Sequence, residues 1–194
     1  MRLRLLSRFR PREIQVPQSN LLLKHPQRSD FGKWVKLRSD SSAFLKIWEP
    51  RWPRDDLTLM GYQRRLRTYA QQRQSGTGYT YFLFNGKSNE LLGGLSLTKV
   101  THGVSRSATL GYWMGVHFAG RGHMGNAVPA ILSHAFIDLK LNRVEAASLP
   151  TNSRSMHLLE KCGFQREGYA REYLEINGKL EDHVLFACLA NSIR

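Results

Sequence analysis

The stretch LGYWMGVHFAGRGHMGNAV, residues 110–128, changes its hydrophobic period part-way along. Its first half is rich in aromatic and large apolar residues, as β-strands are. From about Gly122 onward, apolar residues recur at helical spacing: Ala127, Val128, Ile131, Ala135 and Leu139. Between the two halves lies GRGHMG, residues 120–125, so the stretch predicts a strand that enters a helix through a glycine-rich turn.

GRGHMG also matches G-x-G-x-x-G, the fingerprint of dinucleotide-binding folds. In that interpretation its three glycines would form the turn, and Glu145 would supply the acidic residue that follows about 20 positions on. A doubly wound fold, however, needs several parallel crossovers around this turn, and the pattern shows one, from residues 108–116 to residues 142–149. The sequence therefore disfavours a dinucleotide site.

The turn has a physical use that does not depend on that fingerprint. Small residues allow backbone N–H groups at the start of a helix to approach a phosphate, aided by the positive end of the helix dipole. The alternative is a turn that only connects a strand to a helix. Pro129 inside the helix removes an amide donor and crowds the carbonyl of Gly125, so a local distortion is expected there.

The rest of the chain alternates between the two periods. Asn177-Gly178 is a strong hairpin signal between the last two predicted strands. The full order predicts a mixed α/β sheet in a single domain at residues 20–190, preceded by a basic arm at residues 1–19. Helical spacing covers residues 31–38, 57–74 and 153–162, and strands are predicted at residues 20–24, 79–84, 91–100, 108–116, 142–149, 164–176 and 180–189.

Positive charge is concentrated at the front of the chain. The 194 residues carry 29 Lys and Arg against 15 Asp and Glu, a net charge of +14, and residues 1–75 hold 17 of the basic residues against 6 of the acidic ones. That distribution favours contact with an anionic partner such as RNA or the ribosome. A solvated arm and a membrane-surface segment are the alternatives for the arginine-rich residues 1–12.

Apolar runs and cysteine spacing argue against several classes of protein. The longest apolar runs are far shorter than the roughly 20 residues that cross a bilayer, and no run has the length of a signal-peptide core. Cys162 and Cys188 show neither a disulfide framework nor the spacing of a zinc site. The expectation is a cytoplasmic protein with no membrane span and no metal.

Two further stretches join the first in a family resemblance. Together with LPTNSRSMHLLEKCGF, residues 149–164, and EGYAREYLEINGKLEDHVLFA, residues 167–187, the opening stretch resembles the GNAT superfamily of acyl-CoA N-acyltransferases. Within it, the chain is most similar to the RimJ/RimL-type ribosomal-protein-alanine N-acetyltransferases. The resemblance implies a mixed, mostly antiparallel sheet of six or seven strands, splayed between strands 4 and 5, with helices on both faces and acetyl-CoA in the gap.

The resemblance also implies which residues hold acetyl-CoA. The family's pyrophosphate loop, Gln/Arg-x-x-Gly-x-Gly/Ala, falls on residues 119–124, where Gly122 matches the central glycine while Ala119 and Met124 depart from the general pattern. The splayed strand edge falls on Trp113 to Gly115. The implied cofactor contacts are Trp113, Met114, Gly115, Arg121, Gly122, His123, Met124, Gly125, Asn126, Asn152 and Ser155.

The chemistry that the resemblance implies is direct transfer in a ternary complex. A neutral α-amine attacks the thioester carbonyl, a backbone amide near Met114 stabilises the oxyanion, and the coenzyme A thiolate leaves. The enzyme must take a proton from the amine and give one to the sulfur. Ser155 matches the position that faces the sulfur and is the candidate donor, with a structural hydroxyl on a helix face as the alternative.

Three carboxylates are candidates for the catalytic base. Some relatives place a carboxylate where this chain has Leu174, so Glu172 and Glu175 beside it are candidates, although on a regular strand they point to opposite faces. Glu49, in the segment Trp48-Glu49-Pro50, is the third; it would either bind the substrate ammonium, together with Trp48, or help to shuttle its proton through water. Each is otherwise a solvated carboxylate in a basic protein.

The sequence thus predicts an N-acetyltransferase that modifies a protein N-terminus, with a ribosomal protein beginning with alanine as the acceptor. Two alternatives stay open. One is a module that binds acyl-CoA or the ribosome without turnover, which the Ala119 departure and the absence of a clear base would explain. The other is an acetyltransferase for a small-molecule amine. Both a monomer and a homodimer fit the sequence.

Overall fold

The structure, a computed structural model, describes residues 13–193. Within them, eight strands form one sheet: β1 Glu13–Gln15, β2 Leu21–Lys24, β3 Tyr79–Asn85, β4 Glu90–Thr98, β5 Ser107–Met114, β6 Arg143–Ser148, β7 Gln165–Ile176 and β8 Lys179–Leu189. The α-helices are α1 Phe31–Asp40, α2 Ser42–Lys46, α3 Leu59–Ser75, α4 His123–Ser133 and α5 Ser153–Lys161. The shorter helical turns are the 3-10 turns Arg28–Asp30, Val116–Phe118 and Ala190–Ile193 and the π-helical turn His134–Asp138. The predicted mixed α/β class is confirmed.

The strands lie in the order β1-β2-β3-β4-β5-β6-β8-β7. In this part of the chain every neighbouring pair is antiparallel except β5 and β6, so the mostly antiparallel sheet is also confirmed. The sheet has eight strands rather than the expected six or seven, because β1 pairs with β2 at one edge. Three residues are too few to display a period of two, which is why the sequence pattern does not predict β1.

Strand β1 lies inside the arm expected at residues 1–19. Its residues pair with Leu22 to Lys24, and Val16, which follows β1, is 1% exposed. Residues 13–16 are therefore part of the sheet and its core. The arginine-rich residues 1–12 lie outside the described residues, and their role as a basic arm stays a prediction.

Helices cover both faces of the sheet, as the resemblance implies. On one face, Ile131 of α4 and Leu159 of α5 belong to a buried apolar cluster. On the other face, Trp34 of α1 and Tyr62 of α3 belong to a second buried cluster. Two cores separated by the sheet explain why β3 and β4 are buried almost throughout their length.

Strands β5 and β6 run parallel at first and then separate. Their pairing ends where Thr109 lies opposite Glu145. Beyond that point β5 continues along β4 as far as Met114, whereas β6 continues along β8 as far as Ser148. The sheet therefore splays at the place expected between strands 4 and 5, which become strands 5 and 6 once β1 is counted.

Helix α4 continues through Pro129 without a break. Because proline has no N–H, the carbonyl of Gly125 loses its helical partner. The thiol of Cys162, at the end of α5, donates a hydrogen bond to that carbonyl instead, with Sγ 3.9 Å from the oxygen. At Gly125, where a distortion is expected, the carbonyl thus accepts from Cys162 instead of from residue 129. This hydrogen bond links α4 to α5.

Candidate active site

Within residues 13–193, no strand pairs, beyond Thr109, with the edge of β5 that faces the gap between β5 and β6. Gly115, directly after β5, donates its N–H to the carbonyl of Leu92 in β4 at 2.9 Å. Because successive residues of an antiparallel strand direct their N–H groups to opposite edges, the N–H of Met114 faces the gap. The carbonyl of Trp113 lies on the β4 side, where a Cβ on Gly93 would collide with it. Of the predicted edge Trp113 to Gly115, the backbone of Met114 is the part that faces the gap.

The glycine-rich turn leads from this edge into α4. Gly120 and Gly122 have φ of 77° and 80°, in the left-handed region that favours glycine, and no described heavy atom lies within 4 Å of where a Cβ would stand on either residue. Gly122 directly precedes α4. The backbone conformation, rather than crowding, therefore requires glycine here, and the turn leaves open space beside the N-terminus of the helix.

The amides at the start of α4 are free of helical acceptors. Asn126 donates its N–H to the carbonyl of Gly122 at 3.2 Å, so the amides of His123, Met124 and Gly125 precede the hydrogen-bond ladder of the helix. Such amides, at the positive end of the helix dipole, form an anion site. Of the predicted contacts in this segment, Asn126 therefore uses its amide within the helix.

The side chains of the turn differ in their surroundings. Arg121 is exposed and can add positive charge beside a phosphate, and His123 is half-buried. Met124 is 7% exposed because its side chain joins the core between α4 and the sheet. A role for Met124 in ligand binding would therefore rest on its backbone.

Helix α5 begins on the other side of the gap, after β6. Asn152 is its N-cap residue, and its Oδ1 accepts a hydrogen bond from the N–H of Ser155 at 3.1 Å. This cap satisfies one of the orphan amides of the helix and holds the first turn in place. The structure thus brings Asn152 and Ser155 together, as the resemblance implies.

Tyr112 of β5 contacts Ser155 and was not among the predicted residues. The phenol Oη lies 2.7 Å from Ser155 Oγ. Burial raises the pKa of Tyr112 to about 12, so the phenol is neutral at physiological pH. Alternation along β5 places Tyr112 and Met114 on the same face of the sheet, toward α4 and α5, but it does not identify Ser155 as the residue that Tyr112 contacts.

Glu49 lies in an ion pair on the opposite face of the sheet. Arg38 of α1 donates from both terminal nitrogens to the two carboxylate oxygens of Glu49, at 2.7 and 2.6 Å, and Trp52 Nε1 donates to Oε2 at 2.7 Å. The guanidinium carbon of Arg38 lies 4.1 Å from the ring centroid of Trp52 and 5.0 Å from that of Trp113. Trp48 is half-buried beside this group. Arg38 and Trp52 are further residues that the sequence did not indicate.

A backbone hydrogen bond links the segment of Glu49 to the strands on the other side of the gap. Asn177, in the turn between β7 and β8, donates its N–H to the carbonyl of Glu49 at 2.9 Å. The ion pair is anchored to β5 through Trp113, whereas β7 and β8 belong to the part of the sheet beyond the gap. The bond therefore bridges the two halves of the splayed sheet at its open end.

Glu172 and Glu175 are both exposed on β7. They were expected to point to opposite faces because a regular strand alternates. Strand β7 is not regular here, because its register shifts between Ala170 and Leu174. Glu172 sits in this bulge with φ of 46°, and its N–H donates to Asp182 Oδ1 at 2.8 Å. Among the described residues, no hydrogen bond links either glutamate to Ser155 or to Glu49.

Two negative observations concern residues 13–193. No group of three or more His, Cys, Asp or Glu side chains gathers there as ligands of a metal ion would. Over the same residues, no helix combines the length and the apolar character needed to cross a bilayer.

Comparison with known families assigns the chain. Residues 20–165 match the model of the acetyltransferase (GNAT) domain, which is well over half of the sequence. The chain belongs to the GNAT acetyltransferase family. Among relatives of this GNAT chain, "Probable N-acetyltransferase YjcK" of Bacillus subtilis is 33% identical over 180 residues, covering 93% of this chain and 92% of the relative.

A second relative of this GNAT acetyltransferase and one solved structure are also similar to it over most of their length. The "[Ribosomal protein uS5]-alanine N-acetyltransferase" of Escherichia coli is 29% identical over 175 residues, 90% of each chain. The structure of Mycobacterium smegmatis RimJ in complex with CoA-disulfide aligns with a TM-score of 0.85 at 28% identity, covering 92% of this chain and 86% of RimJ. The GNAT fold is confirmed over nearly the whole described chain.

The acetyl donor of this GNAT acetyltransferase is acetyl-CoA. The structure fits that donor at two places. The open space beside the positive-φ glycines and the free amides of α4 suit a pyrophosphate, and the free edge of β5 offers backbone groups for an extended amide-containing arm.

Proposed function

We propose that this GNAT acetyltransferase moves the acetyl group of acetyl-CoA to the α-amine of a protein N-terminus, with a ribosomal protein that begins with alanine as the acceptor. The observation that supports acetyl transfer at this site is the position of the Ser155 hydroxyl, which Tyr112 contacts beside the edge of β5 that faces the gap. The acceptor is supported by the similarity to the uS5-alanine N-acetyltransferase. A ribosomal acceptor would place the enzyme in the cytoplasm.

Residues on both sides of the gap would hold acetyl-CoA. The amides of His123, Met124 and Gly125 and the exposed side chain of Arg121 would bind the pyrophosphate. The carbonyl of Met114, which faces the gap together with its N–H, would pair with the pantetheine arm. Asn152 would act through the cap that fixes the first turn of α5. When bound, acetyl-CoA supplies a thioester that an uncharged amine can attack.

The groups of this chain then have separate tasks in the transfer. The N–H of Met114, which faces the gap, stabilises the negative charge that develops on the carbonyl oxygen. Ser155 donates its hydroxyl hydrogen toward the sulfur as the carbon–sulfur bond breaks. The proton released by the amine leaves through water, with Glu172 and Glu175 as the exposed carboxylates that can receive it.

Glu49 has a different place in this proposal. Both its oxygens accept hydrogen bonds from Arg38 and Trp52, so the carboxylate is fixed in position. Its backbone carbonyl bonds to Asn177 across the gap. Glu49 and the adjacent Trp48 would therefore line the acceptor site. The hydrogen bond between Glu49 and Asn177 spans the open end of the gap, so an extended N-terminal segment would enter more readily than a folded surface.

The acceptor proposal predicts a specific pattern of thiol release. A peptide that begins with alanine should stimulate release of coenzyme A from acetyl-CoA, because its free α-amine can enter the site. The same peptide with an acetylated N-terminus and an internal lysine should give no release above background. The measurement is a thiol-reagent assay at matched peptide concentrations, with product mass confirming the modified position.

Two other results would favour the alternatives. Release with a polyamine but not with any peptide would identify a small-molecule acetyltransferase. Binding of acetyl-CoA without release for any amine would contradict the enzymatic proposal and leave a binding module, which the departure at Ala119 from the family's polar residue would then explain.

We further propose that the basic front of the chain contacts ribosomal RNA. Residues 1–75 carry the excess of 17 basic over 6 acidic residues, and five arginines lie in residues 1–12. Deleting residues 1–12 should weaken binding to ribosomes and flatten its salt dependence, by about 0.7–0.9 in log–log slope for each phosphate that the shortened chain no longer neutralises. An unchanged slope in a titration between low and physiological salt would contradict a role for this segment in binding.

A further inference from the structure

Among residues 13–193, the side chain that hydrogen-bonds to the hydroxyl of Ser155 is that of Tyr112. The cap from Asn152 fixes the Ser155 backbone through its N–H, whereas the hydroxyl contacts Tyr112 Oη at 2.7 Å. A serine in the first turn of a helix can otherwise turn its hydroxyl onto a nearby backbone carbonyl. Among the described residues, Tyr112 is the side chain that orients Ser155 Oγ.

Either hydroxyl can donate in this contact, and the phenol is the stronger acid of the two, which favours donation from Tyr112 to Ser155 Oγ. Tyr112 is largely enclosed by the core between β5 and α5, and burial raises its pKa to about 12, so its proton stays in place at neutral pH. The phenol also has the Ser155 carbonyl as a second acceptor, at 3.4 Å, which is a longer contact than the 2.7 Å to Oγ. A hydroxyl has one hydrogen, so when Tyr112 donates to Oγ, the Ser155 hydrogen remains available for another acceptor.

We infer that Tyr112 is a positioning residue for acetyl transfer, which donates to Ser155 Oγ and thereby directs the Ser155 hydroxyl hydrogen to the sulfur that leaves. The inference rests on the proposed function. In the step concerned, the carbon–sulfur bond breaks and its electron pair passes to sulfur, where Ser155 donates a hydrogen bond. The proton lost by the amine nitrogen reaches the thiolate through solvent, so Tyr112 itself gains and loses no proton.

The backbone geometry explains why this position serves the role. Tyr112 precedes the Met114 amide by two residues on β5, so its side chain and that of Met114 lie on the same face while the Met114 N–H lies at the free edge. Ser155 lies in the first turn of the helix across the gap. Strand β5 thus carries both the Met114 N–H, which would stabilise the oxyanion, and Tyr112, which contacts the Ser155 hydroxyl. The two residues are two positions apart.

Replacing Tyr112 by phenylalanine tests the inference, because it removes the hydroxyl and keeps the ring. The turnover number should fall about tenfold, the usual effect of removing one hydrogen bond from a transition state. The KM for acetyl-CoA and the melting temperature should stay close to those of the wild type. Tyr69→Phe on α3, which packs on the opposite face of the sheet, is the matched control and should leave turnover unchanged.

A double-mutant cycle separates positioning from a merely structural role. In a Ser155→Ala background, Tyr112→Phe should cause no further loss, because there is no hydroxyl left to orient. In a Ser155→Thr background, which restores a hydroxyl, the loss should return. If the Tyr112→Phe and Ser155→Ala losses instead multiplied in the double variant, the phenol would act without the Ser155 hydroxyl and the inference would be overturned.

The remaining outcomes are also decisive. Unchanged turnover in Tyr112→Phe, with a wild type that releases thiol, would overturn this inference and leave the acetyltransferase proposal intact. A wild type that releases no thiol with any amine would overturn the proposed function and this inference together.

Discussion

Replacing Glu49 by glutamine is expected to lower the free energy of unfolding by about 3 kcal/mol, the lower end of the cost of breaking a buried ion pair. The Arg38 side chain is 7% exposed and that of Glu49 is 21% exposed, so solvent screens the pair weakly. Glutamine keeps the shape and one acceptor but leaves the guanidinium of Arg38 charged between Trp52 and Trp113 without a carboxylate.

Urea unfolding would measure this effect as a shift in midpoint at constant slope. Glu90→Gln, at an exposed position where β4 begins, is the control and should change stability by no more than about 0.5 kcal/mol. Replacing both Arg38 and Glu49 by leucine should lower the free energy of unfolding by less than the sum of the losses caused by the two single leucine substitutions, because no unpaired charge remains. Equal midpoints for Glu49→Gln and Glu90→Gln would show that the pair contributes nothing.

Replacing Ser155 by alanine is expected to lower the turnover number about 100-fold, because a hydrogen bond to a charged group such as the leaving thiolate contributes about 1.5–3 kcal/mol. The KM for acetyl-CoA should change little, because the amides of α4 and the edge of β5 remain. Steady-state thiol release with the alanine peptide provides both parameters.

Ser153→Ala is the matched control for this change. Ser153 begins the same helix and is exposed, so the substitution removes a hydroxyl from α5 without touching the Tyr112 contact. Its turnover should equal that of the wild type. If Ser155→Ala and Ser153→Ala behaved alike, Ser155 would have no part in the reaction and its hydroxyl would serve the helix alone.

The sequence predicts the glycine turn and the start of α5 well because both depend on local features. A change of period near Gly122 and a new helical period from Ser153 are visible in consecutive residues, and α4 and α5 begin at these places. The pairing of Tyr112 with Ser155 is not visible in this way, because the partners are 43 residues apart. Periodicity predicts the face on which a residue lies, but not the residue that it meets.

The surroundings of Glu49 were only partly predictable for a similar reason. The segment around Glu49 contains two prolines that exclude a regular element, so no period relates it to α1, and Arg38 could not be named as its partner. The bulge in β7 misled the alternation argument for Glu172 and Glu175. Within the bulge, the Asp182 carboxylate accepts hydrogen bonds from the Glu172 N–H and the Tyr169 phenol across the strand pair, contacts between residues far apart in the sequence.

That bulge has a consequence for how the protein behaves in a crowded solution. β7 is an outer strand of the sheet, and a long flat outer strand offers a template on which another chain can add as amyloid does. The interruption between Ala170 and Leu174 breaks that template, and the charged residues around it discourage stacking. At the opposite margin, β1 has three residues within the part of the chain that the structure describes. Among residues 13–193, neither margin of the splayed sheet thus presents a long, regular strand to another chain.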